Sequence, residues 1–357
     1  MAIRDFNDLS YVPLLSVRPA ELRALQELPD RDKSRLLPYF FLRPWASALQ
    51  LDAALKKLED AYGDRPFFID LALEEPADTP RPVHEQLSRL RDPAGGYANW
   101  CAFIRAHRSF IPSLQLGEPR EFQTQAEQLL SENRGLAVRF PRAAFGGVRL
   151  FAERLAALTG GGDDLCIILD YGRGSRDLLL QQVATVALVR SVVEVAPRAI
   201  VCVAASSFPE AFTGLTQQEI YERQLFNAVR LEVGNHQMVY SDRGSVRAER
   251  QLGGGGTPAP RIDYAMPDVW RFYRADGEDD RPRAYRQLAQ AAVAAPQWDR
   301  GLRLWGTQMI ERTAIGDPDA ITSPARSTAA RINIHLHRQL FYDDPGEGYD
   351  TDEEWVG

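Results

Sequence analysis

Cysteine is scarce in this 357-residue chain: Cys101, Cys166 and Cys202 are the only three, and none forms a CxxC pair. That excludes a disulfide-built scaffold and a Cys-rich zinc site of ordinary spacing. Cys166 and Cys202 sit inside apolar, strand-like runs, where a thiol behaves as a small buried hydrophobe. Long apolar runs are missing too, since none approaches the roughly 20 residues of a membrane-spanning helix. The opening MAIRDFNDLS is too polar for the apolar core of a secretory leader. An odd cysteine count without a leader sets the expectation of a soluble, cytoplasmic protein with no membrane partner. Lysine is confined to Lys33, Lys56 and Lys57, so arginine supplies nearly all of the basic charge. The first reading of that bias is compositional, and the second is a need for bidentate anion contacts. The net charge of −7 counts against broad binding to a phosphate backbone, so nucleic acid is not the expected partner. Neither a nucleophile elbow (GxSxG), an HExxH pair, a Walker lysine nor a GxGxxG fingerprint occurs. Covalent Ser or Cys catalysis and zinc hydrolysis therefore have no positive support.

What is present is a repeated unit. Residues 11–42, YVPLLSVRPAELRALQELPDRDKSRLLPYFFL, read as strand, loop, helix, loop and strand. Tyr11 to Val17 and Leu36 to Leu42 are apolar without alternation, as in strands buried on both faces. Between them Pro19 suits a first helical turn, and Leu22, Leu25 and Leu28 supply an apolar stripe. Further strands are expected at Pro66–Leu71, Phe110–Leu116, Leu136–Phe140, Leu165–Tyr171 and Ala199–Ala205. The eighth falls at either Val229–Val233 or Gln237–Tyr240. Helices are expected between them, including one from about Gln217 to Phe226. Eight strand–helix units over this length predict a (β/α)8 TIM-like barrel, regular or distorted, with an open doubly wound sheet as the rival. The barrel is assigned to residues 1–252 and a Gly/Pro-rich loop to 253–260. An aromatic-rich C-terminal section, 261–342, is expected to pack on the barrel, and an acidic tail, 343–357, is expected to be disordered.

In such a barrel, functional groups gather at the C-terminal ends of the strands. Those ends supply Arg18 and Glu21, Arg43, Asp70, Gln115, Arg139, Asp170 with Tyr171, Ser206 with Ser207, and Tyr240 with Asp242. Asp170 ends an apolar run, where a lone carboxylate is costly and calls for a partner. Asp70 holds the matching place after Phe67-Phe68-Ile69. Together they form the candidate catalytic pair, suited to acid–base work or to a divalent metal, with no cofactor specified. Arg18, Glu21, Arg43, Arg139, Tyr171 and Asp242 are the candidate ligand-binding set. Gly172-Arg173-Gly174-Ser175 reads as a tight turn before it reads as an anion nest. His335 and His337, two apart in a helical context, do not share a face and are a weak metal pair.

Several short segments, taken in order, carry a resemblance. Tyr11-x-Pro13 is followed by Arg18, Glu21, Ala24 and Leu25, then Leu37-Pro38, Tyr240-Ser241-Asp242, Arg261-Ile262-Asp263-Tyr264 and Trp270. Trp305-Gly306 and Ile332-Asn333-Ile334-His335 complete the series. The series resembles the Beta protein family, a phage T4-type group of phages and bacterial mobile regions. Ser241 stands where that family usually has Gly, and the Arg-Tyr pair is stretched. The resemblance implies a setting of phage–bacterium conflict, often beside a nuclease-like protein, and transfers no catalytic residue. The expected function is therefore an interaction or sensor component whose partner is a nuclease-like subunit or a phage component. The alternative is a hydrolase or phosphodiesterase working at the barrel mouth through Asp70 and Asp170.

Overall fold

Strands without polar alternation must be covered on both faces. The computed structural model of the protein places eight of them in one all-parallel sheet. It describes Ile3 and residues 9–73, 79–234, 236–248, 258–275 and 280–349. In chain order the strands are β1 (Tyr11–Ser16), β2 (Tyr39–Leu42), β3 (Phe67–Leu71), β4 (Phe110–Pro112), β5 (Leu136–Pro141), β6 (Leu165–Arg173), β7 (Ile200–Ser206), β8 (Gln217–Glu219), β9 (Met238–Asp242), β10 (Arg261–Ala265) and β11 (Val269–Arg274). The helices are α1 (Pro19–Gln26), α2 (Asp30–Arg35), α3 (Asp52–Tyr62), α4 (Pro82–Leu90), α5 (Ala94–Ala106), α6 (Phe122–Leu130), α7 (Val148–Leu158), α8 (Gln182–Val195), α9 (Tyr221–Val233), α10 (Arg281–Ala294), α11 (Trp305–Ile315) and α12 (Pro324–Leu340).

The chain divides into two compact units. The first comprises Met1–Val17, Arg35–Ser206 and Tyr221–Arg243, and holds the large sheet in the order β4-β3-β2-β1-β9-β7-β6-β5. A single parallel bridge from Ser113 to Ala137, with the Leu114 N–H donating to the Ala137 carbonyl at 2.9 Å, links the two ends. The strands thus follow one another in chain order around a nearly closed, barrel-like sheet. A doubly wound sheet would instead have two free edges and an order that reverses at a switch point. The eighth strand is β9, the second of the two expected positions, because Val229–Val233 is the last turn of α9. The helix expected from Gln217 is preceded by the short strand β8. β4 stops at Pro112, short of Leu116.

Inside the sheet, one residue in two points to a common core: Val12 and Leu14, Tyr39 and Phe41, Phe68, and Ile168 are among them. The alternate residues meet the outer helices, as where Phe40 packs edge-on against Phe67 at 5.2 Å and against Tyr62 of α3 at 6.2 Å. One segment corrects the expectation that nothing approaches a membrane span: Arg176–Val195 is 20 residues long, and an 18-residue window within it has mean hydropathy 1.5. Its Val186, Val189 and Val192 are buried, as in a helix that lays an apolar stripe on a sheet.

The second unit comprises Arg18–Ser34, Ser207–Ile220 and Gly244–Gly357. This division departs from the linear one drawn from the sequence. The helix after β1 and the segment around β8 group with the C-terminal residues, not with the strands beside them in the chain. Of the Gly/Pro-rich loop, residues 253–257 lie outside the described residues. Of the acidic tail, residues 350–357 do as well, while Tyr349 is held by its hydroxyl donating to Asp299.

A three-stranded antiparallel sheet, β10-β11-β8, organises the second unit with α1, α10, α11 and α12. Asn333 of α12 ties three helices together. Its amide donates to the Ala24 carbonyl at 3.0 Å and its oxygen accepts from the Gly306 N–H at 2.9 Å. Gly306 lets α11 and α12 cross closely, for a Cβ there would fall on the Ala330 carbonyl oxygen and lie 2.8 Å from Ile334 Cγ1. We expect Gly306→Ala to destabilise the protein by about 2–3 kcal/mol, because helix backbone must move to admit one methyl. Urea unfolding checks this, and a loss under about 0.5 kcal/mol would show that the crossing is loose.

Candidate functional site

Parallel strands all run the same way, so their interior-facing residues near the C-terminal ends meet at one rim. On β3 the interior parity runs from Phe68 to Asp70, on β5 from Ala137 to Arg139, and on β6 from Ile168 to Asp170. β2 contributes Tyr39 and Phe41, and Arg243 follows β9 on the parity of Val239. On each the change from apolar to charged comes toward the C-terminal end, so the core below is apolar and the rim collects charge.

The four charges form two linked pairs. Asp170 Oδ2 accepts from Arg139 Nη1 at 3.0 Å and from Arg243 Nη2 at 2.5 Å, while its Oδ1 accepts from the Gly172 N–H at 2.9 Å. Asp70 Oδ2 accepts from the Tyr39 hydroxyl at 2.7 Å and lies 3.5 Å from Arg139 Nε, an ion-pair distance without hydrogen-bond alignment. Asp70 Oδ1 accepts from Gln115 Nε2 at 2.9 Å. The Tyr39 oxygen also meets Ser113 Oγ at 2.6 Å, next to the bridge that closes the sheet. Both guanidiniums lie over the Phe41 ring, 5.0 Å and 5.3 Å from its centre.

Burial by itself would push the Arg139 guanidinium down, but Asp70, Tyr39 and Asp170 beside it win and hold it above the usual arginine value. Burial, followed by the Asp70 charge, raises the Tyr39 hydroxyl well above the usual phenol value, so it remains a donor. The cluster is therefore charge-neutral, with Asp170 almost fully covered and an edge of each arginine open to solvent. The two guanidiniums that occupy Asp170 Oδ2 oppose a divalent cation there. Among the described residues no three His, Cys, Asp or Glu side chains converge as a metal site. What the rim presents outward is the edge of two fixed guanidinium forks, suited to a carboxylate or phosphate.

The structure brings together Asp70, Arg139 and Asp170 from the sequence-derived set, with Gln115. Arg43 follows β2 and is half-buried. Tyr171 and Asp242 occupy the opposite parity and face the outer layer. The Tyr171 hydroxyl meets Thr185 Oγ1 of α8 at 2.7 Å. Asp242 accepts from the hydroxyls of Tyr11 at 2.6 Å and Tyr240 at 2.9 Å, and the Arg223 guanidinium of α9 covers the Tyr240 ring at 3.3 Å. Arg18 and Glu21 belong to the second unit, 3.9 Å apart as an ion pair. The rim residues that the strand-end reading passed over are Arg243, Tyr39 and Ser113. Period-two counting along β9 and β2 was the available signal for the first two.

Other sequence features take structural roles. Ser175 Oγ accepts from the Asp177 N–H, as a helix cap does. On α12, His335 Nδ1 accepts from Trp270 Nε1 at 3.3 Å, whereas His337 Nδ1 lies 2.7 Å from Asp32, so the two rings have separate partners. A cavity of about 760 Å³ in the first unit opens beside Pro66, Phe67, Ser109 and Phe110, at the N-terminal ends of β3 and β4. It lies at the opposite end of the strands from the charged rim.

Two comparisons bear on identity. The family model described as Beta protein matches residues 11–341. The chain is also 28% identical over 367 residues to "Protein beta" of Enterobacteria phage P4, covering 98% of this chain and 98% of that protein. The matched span covers most of both units and every residue of the charged rim, and the chain belongs to the Beta protein family.

Proposed function

We propose that the first unit is a distorted (β/α)8 barrel of the TIM type, and that the protein acts in phage–bacterium conflict as a recognition or sensor component. The observation that carries this reading is the closed charge balance at the rim, where each carboxylate is held by arginine, tyrosine or glutamine. That arrangement suits the binding of a partner's anionic group better than acid–base or metal-assisted hydrolysis. The partner we favour is a protein, either a nuclease-like subunit or a phage component, and the cytoplasm is the expected compartment. The relationship to a phage P4 protein supports the setting.

The test is capture of partners by the tagged chain from phage-infected and uninfected cells, followed by titration of the purified partner. Arg43→Glu, a half-buried change beside the rim, is expected to weaken the complex at least about tenfold by reversing a charge at the binding face. The hydrolase alternative makes a different prediction. Turnover of a phosphodiester probe with Mg²⁺ or Mn²⁺, abolished by Asp70→Asn or Asp170→Asn, would overturn the recognition reading.

A further inference from the structure

A second cavity, of about 600 Å³, lies wholly within the second unit. Among the described residues, Arg18, Arg247, Arg261, Arg274 and Arg331 line it, with one acidic lining residue, Glu210. Three of these arginines are held in place by side-chain and backbone contacts. Arg331 of α12 donates through Nη1 to Asp263 Oδ2 at 2.6 Å, and Arg261 of β10 brings Nε within 2.6 Å of Asp263 Oδ1. Arg247 donates from Nε to the Pro209 carbonyl at 2.9 Å and from Nη2 to the Glu210 carbonyl at 2.6 Å. Those carbonyls help to orient the guanidinium, and the Glu210 and Asp263 carboxylates both act on it. Among the described residues, Arg247, Arg261 and Arg331 thus gather around Asp263 and Glu210, three guanidiniums to two carboxylates.

Their surroundings keep the excess from being screened. The Arg261 guanidinium lies 3.6 Å from the centre of the Phe212 ring, and that of Arg331 lies 4.0 Å from the Phe208 ring. Burial pushes Arg331 down to about 10 against the pull of Asp263, and Arg247 is pushed down by burial and then by Arg261. Both directions mark crowded positive charge in a place of poor hydration. Pro324, Ser327 and Thr328, near the start of α12, complete the wall.

We propose that this cavity binds a small organic phosphate of about nucleotide size. Rigid guanidinium forks match a phosphate's several acceptor oxygens. The volume lies within the roughly 300–1,000 Å³ of small-molecule sites, far more than inorganic phosphate fills. Phe212, Ala211, Val246 and the Tyr285 ring supply contact for the organic part.

The test is calorimetric titration of the full-length chain with ATP, AMP, glucose 6-phosphate and inorganic phosphate, at about 50 mM and about 300 mM NaCl. At least one organic phosphate is expected to bind about tenfold or more tightly than inorganic phosphate and to weaken with salt. Arg247→Gln and Arg261→Gln should each weaken it at least about tenfold while circular dichroism shows the fold retained. If either arginine variant unfolds, Thr328→Glu sets a carboxylate at the half-buried start of α12 and should likewise abolish binding. Absence of binding by every organic phosphate at about 5 mM overturns the proposal. So does binding that all folded variants leave unchanged. Tight binding of a single-stranded oligonucleotide that ATP does not displace also overturns it, assigning the arginines to a nucleic-acid groove.

Discussion

Asp170→Ala is expected to lower the stability of the protein by about 3–5 kcal/mol, as for removal of one partner from a buried ion pair. Asp170 is 2% exposed and accepts from both Arg139 and Arg243. Its loss leaves Asp70 as the one carboxylate beside two adjacent guanidiniums, over the face of Phe41 and above an apolar core. The sequence by itself shows only that a carboxylate ending an apolar run calls for a partner, not that two arginines supply it. Asp170→Ala combined with Arg243→Ala should recover part of the loss, since the second change removes one of the uncompensated charges. Urea unfolding of the three variants checks both statements. A loss below about 1 kcal/mol for Asp170→Ala would mean that solvent reaches and screens the rim more than its burial implies.

The second large effect is expected in the other unit. Asp263→Ala should cost about 3–5 kcal/mol, because Arg331 then lies buried with no carboxylate on it. Asp263 is 2% exposed and Arg331 is 3% exposed, with 2.6 Å between their atoms. Arg331→Met in the same chain should restore much of the stability, since an apolar side chain of similar length fills the space beside Phe208 without charge. Thermal and urea unfolding of the single and double variants decide the matter. If the double variant is no more stable than Asp263→Ala alone, packing rather than unpaired charge sets the cost. Restored stability would not restore the phosphate binding proposed above, so the two roles of Arg331 can be separated by calorimetry.

Much of the architecture was legible because burial on both faces leaves a plain mark in a strand. Leu165-Cys166-Ile167-Ile168-Leu169 has no polar residue to offer water, and seven further segments share that character to differing degrees. The order of strands and helices followed from it. Less legible were β8 and the start of α9, where Gln217-Gln218-Glu219 carries no apolar signal and pairs with β11 only through the backbone. At the rim, listing strand ends without their parity joined Tyr171 and Asp242 to Asp70 and Asp170, although successive side chains point to opposite faces.

The sequence by itself determined the local elements, the parallel character of the large sheet and the family resemblance, since each depends on residues close together in the chain. Only the tertiary structure decided that Asp170 sits between Arg139 and Arg243, which are 31 and 73 residues away. It alone placed α1 against α12 through Asn333 and Ala24, 309 residues apart, in a unit separate from the strand that precedes α1. It alone gathered Arg247, Arg261 and Arg331 around Asp263. The physical reason is the same in each case. Hydrophobic patterning records which face of an element is buried, whereas the partner of a charge depends on which strands and helices become neighbours in space.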